Sequence, residues 1–446
     1  MTWRLKVDFE GLDGHRGFCP DARLMAARFW FFWGKRNRLH TQPKGNIMSA
    51  LYGTYARSPL AFERGEGVRL FAQDGTRYLD FHGGVAVNAL GHSDPHMVAA
   101  LKRAADKVWH TANTFTIPEQ ERLGQRLVDN TFADACFFTN SGTEAVECAV
   151  KTARHYFWSK GEKDRYEIIA FTGSFHGRTM GMIAASGNEH YLEGFGPPLE
   201  GFVHVDPGDL KVVEAAITPK TCAILIEPVQ GEGGCTAMTT EYMRGLRALC
   251  DKHGMLLILD EVQCGYGRTG KFFAHEWSGI EPDIMAVAKG IGAGFPLGAC
   301  LAKGDVAKSM VPGTHGSTYG GNPLASAIGN AVLDRILAPG FMEHVDKMGQ
   351  RLNWHLQQLA QRFPHQVLEL RGKGLLAGIR IKSPVRDVAA RLRDDEQMLA
   401  VTANENVLRL LPPLIVTEAD IEEAIGKLAN VFEAIDADAA KEHVTA

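Results

Sequence analysis

Short apolar runs that alternate with stretches of helical periodicity are the strongest constraint on how this chain can fold. The runs of strand length lie at 136–139, 166–171, 221–226, 255–260, 283–288 and 298–302. Helical patterns at 141–157, 239–252 and 322–338 lie among or after them. Continuous apolar strands are typical of a sheet that is buried on both faces, and alternation with helices favours parallel strands. The sequence therefore predicts an α/β fold with a mostly parallel, mixed sheet covered by helices.

The two ends of the chain have a different texture from this core. The stretch VRLFAQDGTRYLDF predicts a hairpin that turns at Asp74-Gly75, and after about residue 340 the pattern becomes helix, strand pair, helix. Regular patterning begins only after Met48, so we expect the preceding residues to be a disordered or untranslated extension. The predicted organisation is an extension at 1–47, a segment at 48–95 that joins the small domain, a large domain at 96–335 and a smaller α+β domain at 336–446.

Composition limits the possible partners of the chain. A formal net charge of -4 over 446 residues gives no reason to expect nucleic acid or an anionic membrane as a partner. The eight cysteines form no CxxC pair, which favours reduced thiols in a cytosol-like compartment over a zinc site or a disulfide framework. The aromatic stretch at 23–33 is too short to span a bilayer. We therefore expect a cytoplasmic protein that acts on small molecules and needs no metal.

The stretch LLILDEVQCGYGRTGKF resembles a nucleotide-binding strand followed by a phosphate loop. An apolar strand runs into Asp260 and Glu261, and Gly270-Lys271 follows in a glycine-rich loop. A complete phosphate loop needs Ser or Thr after that lysine to contact the metal, but Phe272 stands there, and no other such motif occurs in the sequence. The nucleotide hypothesis therefore fails. Taken alone, the two acids are most simply solvated charges at the end of a strand.

A different cofactor explains the acid better. Open parallel sheets bind ligands at the carboxyl ends of their strands, where Asp260 and Lys289 both fall. Ser141-Gly142-Thr143 begins a helix, and helix N-termini bind anions through their N–H groups. Pyridoxal phosphate needs a carboxylate for its ring nitrogen, a phosphate cradle, an aromatic face and a lysine that forms a Schiff base. A partly desolvated lysine has a lowered pKa and can act as that nucleophile.

Six motifs in the same order carry a resemblance to one protein family. They are NSGTEAVE, SFHGRT, EPVQGEGG, LDEVQCGYGRTGKFFA, AKGIGAGFPLGA and HGSTYGGNPLA. Together they resemble the class III, or ω-type, aminotransferases of fold type I, which use pyridoxal phosphate, and the similarity extends from Tyr55 to the final helix. DFHGGVAVNALGH and VLRLLPPL are most similar to the acetylornithine branch of that family. The separation of Asp260 from Lys289 is also that of the family.

The resemblance implies roles around the cofactor ring. Lys289 would form the Schiff base and then move protons as a general acid and base. Asp260 would pair with the ring nitrogen, and Gln263 would contact the phenolic oxygen. Phe175 and His176 would lie beside the ring, with Phe175 stacking on it. Each of these residues alone also fits a structural role, a core aromatic or an ordinary loop amide.

The resemblance also implies a phosphate site that is shared between two subunits. Ser141, Gly142 and Thr143 would hold the phosphate of their own subunit's cofactor. Thr318 would reach the phosphate of the neighbouring subunit's cofactor. This arrangement implies a homodimer with shared active sites.

Substrate recognition would rest on carboxylate-binding arginines. Arg178 and Arg409 match the family's substrate arginines, whose guanidinium groups bind carboxylates through two hydrogen bonds. Glu232 resembles the acid that pairs with Arg409 in part of the reaction cycle, so that one site accepts two kinds of substrate. Asn88 is expected at the substrate entrance. Glu227 either takes part in the site or only supports its loop.

The resemblance implies an aminotransferase that exchanges the terminal amino group of N-acetylornithine with 2-oxoglutarate, giving the semialdehyde and glutamate by ping-pong chemistry in arginine biosynthesis. Ornithine, succinylornithine, succinyl-diaminopimelate and 4-aminobutyrate are alternative substrates, because the pocket walls decide between them. A mutase or decarboxylase is an alternative on the same fold. A nucleotide-driven protein and a non-catalytic binding module are alternatives from other classes.

Overall fold

The computed structural model describes residues 50–445 of the chain. Residues 50–59 belong to a separate unit and contain no helix or strand, and the residues from Leu60 onward form the second unit. The predictions for residues 1–47 and for Met48 as the working start lie outside the described residues.

The strands are β1 Phe62–Glu66, β2 Arg69–Ala72, β3 Arg77–Asp80, β4 Ala135–Thr139, β5 Glu167–Phe171, β6 Phe202–Val205, β7 Thr221–Ile226, β8 Val229–Gln230, β9 Thr236–Ala237, β10 Leu256–Asp260, β11 Ile284–Val287, β12 Gly298–Ala302, β13 Val367–Lys373, β14 Leu376–Ile381, β15 Met398–Leu399, β16 Val401–Ala403 and β17 Val407–Leu410.

The helices of the second unit separate most of these strands. The α-helices are Gly83–Ala86, Pro95–Ala105, Pro118–Asp129, Gly142–Ser159, Met180–Ala185, Glu189–Leu192, Leu210–Ala215, Thr240–His253, Gly304–Ala307, Pro323–Ile336, Phe341–Arg362, Val385–Asp394 and Glu418–Thr445. Short 3-10 helices cover Ala274–Ser278 and Lys289–Ile291.

A seven-stranded sheet in the order β4-β12-β11-β10-β7-β5-β6 forms the centre of the large core. Strands β11, β10, β7, β5 and β6 are parallel, whereas β12 runs antiparallel to both of its neighbours. This confirms the predicted mostly parallel, mixed sheet. The direction of β12 and the existence of β6 were not predicted.

Both faces of the central sheet are covered, because successive residues of a strand point to opposite sides. In β10, Leu257 and Leu259 pack in the cluster that includes the helices 118–129, 240–253 and 323–336. Leu256 and Ile258 pack in the cluster that contains the helix 142–159. All five residues of β10 are buried, so the strand has no polar face.

A second core lies toward the C-terminus. Strands β13, β14, β17 and β16 form an antiparallel sheet, and the helices 341–362, 385–394 and 418–445 pack in the same hydrophobic cluster. The predicted hairpin turns at Asp74-Gly75 as expected, and its strand β3 pairs in parallel with β15. The N-terminal hairpin thus joins the C-terminal core. We propose on these two cores that the large domain ends near residue 335.

The carboxyl ends of the parallel strands bring distant residues to one edge of the central sheet. Strand β10 ends at Asp260, Glu227 directly follows β7, and Lys289 lies two residues after β11. The loop 172–179 follows β5. These positions form the floor and one wall of the cavity described next.

Candidate active site

A cavity of about 400 Å³ opens at the carboxyl edge of the central sheet. Most of the site residues predicted from the sequence line it. These are Ser141, Gly142, Thr143, Phe175, His176, Arg178, Asp260, Gln263 and Lys289. The structure thus brings together residues that are separated by as much as about a third of the chain.

Asp260 lies at the floor of the cavity with its carboxylate held in place. Its Oδ2 lies 2.8 Å from His176 Nδ1, and its Oδ1 accepts a hydrogen bond from the backbone N–H of Val262 at 3.0 Å. Both Asp260 and His176 are buried, and His176 Nε2 has no hydrogen-bond partner among the described residues. A buried carboxylate with one firm side-chain partner is well suited to stabilise a positive charge on a ligand.

Lys289 lines the cavity as a half-buried residue, and its backbone is in the left-handed region with φ 49°. Such a conformation is strained for a residue other than glycine and is often found at functional sites. Burial, together with the Arg409 guanidinium, lowers the pKa of Lys289 to about 8. Within residues 50–445 its Nζ makes no hydrogen bond or ion pair. With this pKa about a tenth of the lysine is a free amine at pH 7, far more than for a solvated lysine, and a free amine is a nucleophile and a base.

The first turn of the helix 142–159 borders the cavity with its N–H groups. Ser141 is the predicted N-cap and accepts a hydrogen bond from the N–H of Glu144 at 3.4 Å. The Glu144 side chain accepts hydrogen bonds from the backbone N–H of Asn140 and from the Ser141 hydroxyl. In a regular capping box the backbone donor would be the N-cap residue itself, so the donor here is one residue earlier. A Cβ on Gly142 would lie 2.7 Å from Val262, so only glycine fits there. This helix end can hold an anion such as a phosphate.

An aromatic and cationic wall faces the helix end. Phe175 packs edge-on against Tyr191 with 5.9 Å between ring centroids. The guanidinium of Arg178 lies 4.0 Å from the centroid of Tyr191 and 5.4 Å from that of Phe175. Arg178 is exposed at the cavity, so its N–H groups can bind a ligand carboxylate while the rings hold its plane. The contribution of Tyr191 was not predicted from the sequence.

Arg409 reaches the edge of the cavity from strand β17, although it does not line the cavity itself. Its Nη1 donates to Gln263 Oε1 at 2.7 Å, and its Nη2 forms an ion pair with Glu232 Oε1 at 2.7 Å. The predicted pairing of Arg409 with Glu232 is therefore present. The link to Gln263 was not predicted.

Besides Arg409 and Glu232, two predicted site residues lie outside the cavity lining. Asn88 is half-buried next to Val87, which does line the cavity. Thr318 is exposed in the segment that precedes the helix 323–336. Their roles at the substrate entrance and at the partner subunit stay predictions.

The two acids at the end of β10 have different surroundings. Asp260 faces the cavity, whereas the buried carboxylate of Glu261 accepts hydrogen bonds from the backbone N–H groups of Ala274 and His275. The hypothesis of solvated charges is therefore wrong for both residues. Sequence reasoning also left open the role of Glu227, a buried carboxylate that lines the cavity.

Comparison with known proteins gives one consistent family. The family model described as Aminotransferase class-III matches residues 52–432. The chain is 58% identical over 380 residues to a protein named acetylornithine aminotransferase from Mesorhizobium japonicum, covering 85% of this chain and 95% of that protein. A protein of the same name from Agrobacterium fabrum is 55% identical over 391 residues, covering 88% and 98%.

Solved structures agree with the sequence comparison. Ornithine aminotransferase from Toxoplasma gondii ME49 superposes with a TM-score of 0.83 at 28% identity, covering 95% of this chain and 100% of that chain. N-acetylornithine aminotransferase from Stenotrophomonas maltophilia superposes with a TM-score of 0.75 at 33% identity, covering 86% and 98%. The fold, the cavity and the extent of the family match lead to one conclusion. The chain belongs to the class-III aminotransferases.

Proposed function

We propose that this protein is a pyridoxal-phosphate-dependent aminotransferase that transfers the terminal amino group of N-acetylornithine to 2-oxoglutarate. The products are N-acetylglutamate semialdehyde and glutamate, and the reaction belongs to arginine biosynthesis. The observation that carries the proposal is a half-buried lysine and a buried carboxylate in one cavity of a chain that is more than half identical to several proteins named acetylornithine aminotransferase.

The cavity fits pyridoxal phosphate on its own chemistry. Asp260 is a buried carboxylate for the ring nitrogen, Lys289 is an amine of lowered pKa for the aldehyde, and the helix beginning at Gly142 provides N–H groups for the phosphate. Phe175 offers an aromatic face. One related structure, from Toxoplasma gondii, is described with partial occupancy of PLP at its active site, and another, from Pseudomonas jessenii, is in complex with PMP. When bound, this cofactor withdraws electrons from the substrate carbon that carries the amino group.

The protein's own groups supply the proton transfer. Lys289 Nζ, with a pKa lowered to about 8, can take the proton from the substrate carbon that bears the amino group and can later give a proton back. Asp260 is held at the cavity floor, where its Oδ2 lies 2.8 Å from His176 Nδ1 and its Oδ1 accepts a hydrogen bond from the Val262 N–H.

Two arginines give the site a means to bind different substrates. N-acetylornithine has one carboxylate, which Arg178 would bind, and the Glu232 ion pair then keeps the charge of Arg409 compensated. 2-Oxoglutarate has two carboxylates, and the second would replace Glu232 as the partner of Arg409. This exchange requires Glu232 to move away from a guanidinium that otherwise stays in place.

We also propose that the protein is a homodimer in the cytoplasm. The exposed Thr318 would bind the phosphate of the neighbouring subunit's cofactor, so that each site needs both chains. All seven cysteines within the described residues are free thiols, which supports a reducing compartment. No helix among the described residues is long and apolar enough to cross a membrane.

Ornithine is the second candidate amino donor. The structural match to an ornithine aminotransferase from Toxoplasma gondii, at a TM-score of 0.83, favours it. Free ornithine differs from N-acetylornithine by a positive charge in place of an amide. Steady-state rates with N-acetylornithine, ornithine, succinylornithine and 4-aminobutyrate, each with 2-oxoglutarate, test the assignment. The proposal expects the highest kcat/KM for N-acetylornithine, and a higher value for ornithine would contradict it.

A further inference from the structure

Glu227 is a buried carboxylate for which the proposed chemistry provides no role. It directly follows strand β7, which pairs in parallel with β10 on one side and with β5 on the other. It lies at the same sheet edge as Asp260 and lines the same cavity. Its side chain is therefore placed between the loop after β5 and the loop after β10.

The two oxygens of this carboxylate bind two different segments of the chain, the cavity-lining loop after β5 and the turn that precedes Glu232. Oε1 accepts a hydrogen bond from the backbone N–H of Phe175 at 2.8 Å. Oε2 accepts a hydrogen bond from the backbone N–H of Gly231 at 3.2 Å. Phe175 belongs to the aromatic wall, and Gly231 precedes Glu232, the partner of Arg409.

The turn that carries Glu232 is packed closely against the rest of the site. A Cβ on Gly231 would lie 2.1 Å from Gln263 Oε1, and a Cβ on Gly233 would lie 2.5 Å from the carbonyl oxygen of Gly173. Gln230 Nε2 also donates to the carbonyl oxygen of Thr172 at 2.9 Å. Because the turn packs this closely against Gln263 and against the loop after β5, a shift of that loop displaces the turn. Displacement of the turn moves Glu232 relative to Arg409.

We infer that Glu227 is a positioning residue that ties the Phe175 loop to the Glu232 turn and thereby sets how firmly Glu232 pairs with Arg409. This inference rests on the proposed function, because it concerns the choice between a substrate with one carboxylate and a substrate with two. The binding of the one-carboxylate substrate needs the ion pair intact, whereas the two-carboxylate substrate displaces it.

The electrostatics of Glu227 are consistent with this role. Burial and the neighbouring Asp260 raise the pKa of Glu227, and the two backbone N–H donors oppose that rise. The ionised carboxylate thus depends on both hydrogen bonds, and each hydrogen bond comes from a different segment of the chain.

Substitution of Glu227 by glutamine tests the inference on the cofactor-loaded protein. Glutamine has the same shape but only one acceptor oxygen, and its NH₂ group faces one of the two backbone N–H groups. In ping-pong kinetics the kcat/KM for each substrate reports its own half-reaction. We expect E227Q to lower the ratio of kcat/KM for N-acetylornithine to kcat/KM for 2-oxoglutarate by about tenfold, since small misplacements have large effects on rate.

Glu261→Gln is a matched control. Glu261 is also a buried carboxylate that accepts two backbone N–H groups, of Ala274 and His275, but it does not line the cavity. Both substitutions should lower the melting temperature, and only E227Q should change the ratio. An unchanged ratio in E227Q, or an equal change in E261Q, would show that Glu227 only stabilises the fold.

A second variant decides the matter if E227Q does not fold. Glu227→Asp keeps the charge but shortens the side chain by about 1.5 Å, so it cannot reach both N–H groups. We expect the ratio to fall in the same direction, and an unchanged ratio in E227D overturns the inference. A wild-type protein that does not use N-acetylornithine would contradict the proposed function instead. In that case the same ratio, taken with the amino donor that the wild type does use, still decides the role of Glu227.

Discussion

Arg409 and Glu232 form an ion pair with 2.7 Å between Nη2 and Oε1, and the side chains are 1% and 26% exposed. The arginine is therefore fixed inside the protein, whereas its partner is partly exposed. A buried cation is costly without a partner, so Glu232 can leave only when another anion replaces it. A substrate carboxylate at the cavity edge is such an anion.

Neutralising Glu232 should separate the two half-reactions. We expect Glu232→Gln to lower kcat/KM for N-acetylornithine about tenfold and to change kcat/KM for 2-oxoglutarate by less. With N-acetylornithine bound, Arg409 depends on Glu232 for a negative partner. With 2-oxoglutarate bound, the second carboxylate of the substrate is that partner. Steady-state kinetics with each substrate varied will measure this. Glu405→Gln is the control, since Glu405 pairs with Arg371 at 2.6 Å and does not line the cavity. Equal losses for both substrates in E232Q would contradict the prediction.

Removing the Lys289 amine should abolish transamination. We expect Lys289→Ala to lower kcat by at least about 10³-fold, because the lysine is both the nucleophile and the proton carrier. The assay is the formation of glutamate from N-acetylornithine and 2-oxoglutarate. Lys271→Ala is the control, since Lys271 is exposed in the glycine-rich loop and its Nζ lies over the ring of Trp277. Loss of activity in K271A with activity retained in K289A would reverse the assignment.

The pH dependence of cofactor capture should reflect the lowered pKa of Lys289. Only the free amine reacts, and its fraction rises about tenfold per pH unit below the pKa and levels off above it. With a pKa of about 8, the capture rate of the cofactor-free protein should rise up to pH 8 and then flatten. The reference is the rate at which Nα-acetyllysine in solution, with an amine pKa of about 10.4, reacts with the same cofactor. Titration of the cofactor affects both rates equally, so the ratio of the two rates reports the amine alone. A protein rate that keeps rising in parallel with the reference would contradict the lowered pKa.

Asp260 should matter through its charge rather than through its shape. We expect Asp260→Asn to lower kcat by about 10²- to 10³-fold while the protein stays folded, because a fixed charge at the reacting group is lost. Stopped-flow measurement of the N-acetylornithine half-reaction will test this. Glu261→Gln, next to it in the sequence, should retain most of the rate. A D260N protein as active as the wild type would exclude a role for this carboxylate in the chemistry.

Mixing two defective proteins tests the shared active site. If Thr318 serves the partner's cofactor, a hybrid of a K289A subunit and a T318A subunit contains one site with both native residues. Equal mixing after dissociation should then restore activity to about a quarter of the sites. If Thr318 acts within its own subunit, the mixture will show only the activity of T318A alone.

The buried part of the fold was predictable because its signal is local. Strands β7 and β12 have the bounds that the apolar runs predicted, Thr221–Ile226 and Gly298–Ala302. The edge strand β6, Phe202–Val205, was missed because its residues are half-buried or exposed and form no apolar run. The antiparallel direction of β12 was not predictable either, since a strand buried on both faces has the same pattern in either direction.

The site was predictable where its residues follow strand ends and was not predictable where distant loops meet. Asp260 and Lys289 were found because strands place them at the ligand-binding edge. The hydrogen bond from Arg409 to Gln263 joins residues that are 146 positions apart, and no local pattern encodes it. The double contact of Glu227 with Phe175 and Gly231 depends in the same way on how the loops pack.

The most direct test of the whole account is an absorbance spectrum of the purified protein with pyridoxal phosphate. The account predicts a band of the lysine-bound cofactor that disappears when N-acetylornithine is added alone and returns when 2-oxoglutarate follows. If only ornithine removed the band, the chemistry would stand and the assigned substrate would be wrong. The absence of any such band in the presence of added cofactor would contradict the roles of Lys289 and Asp260 together.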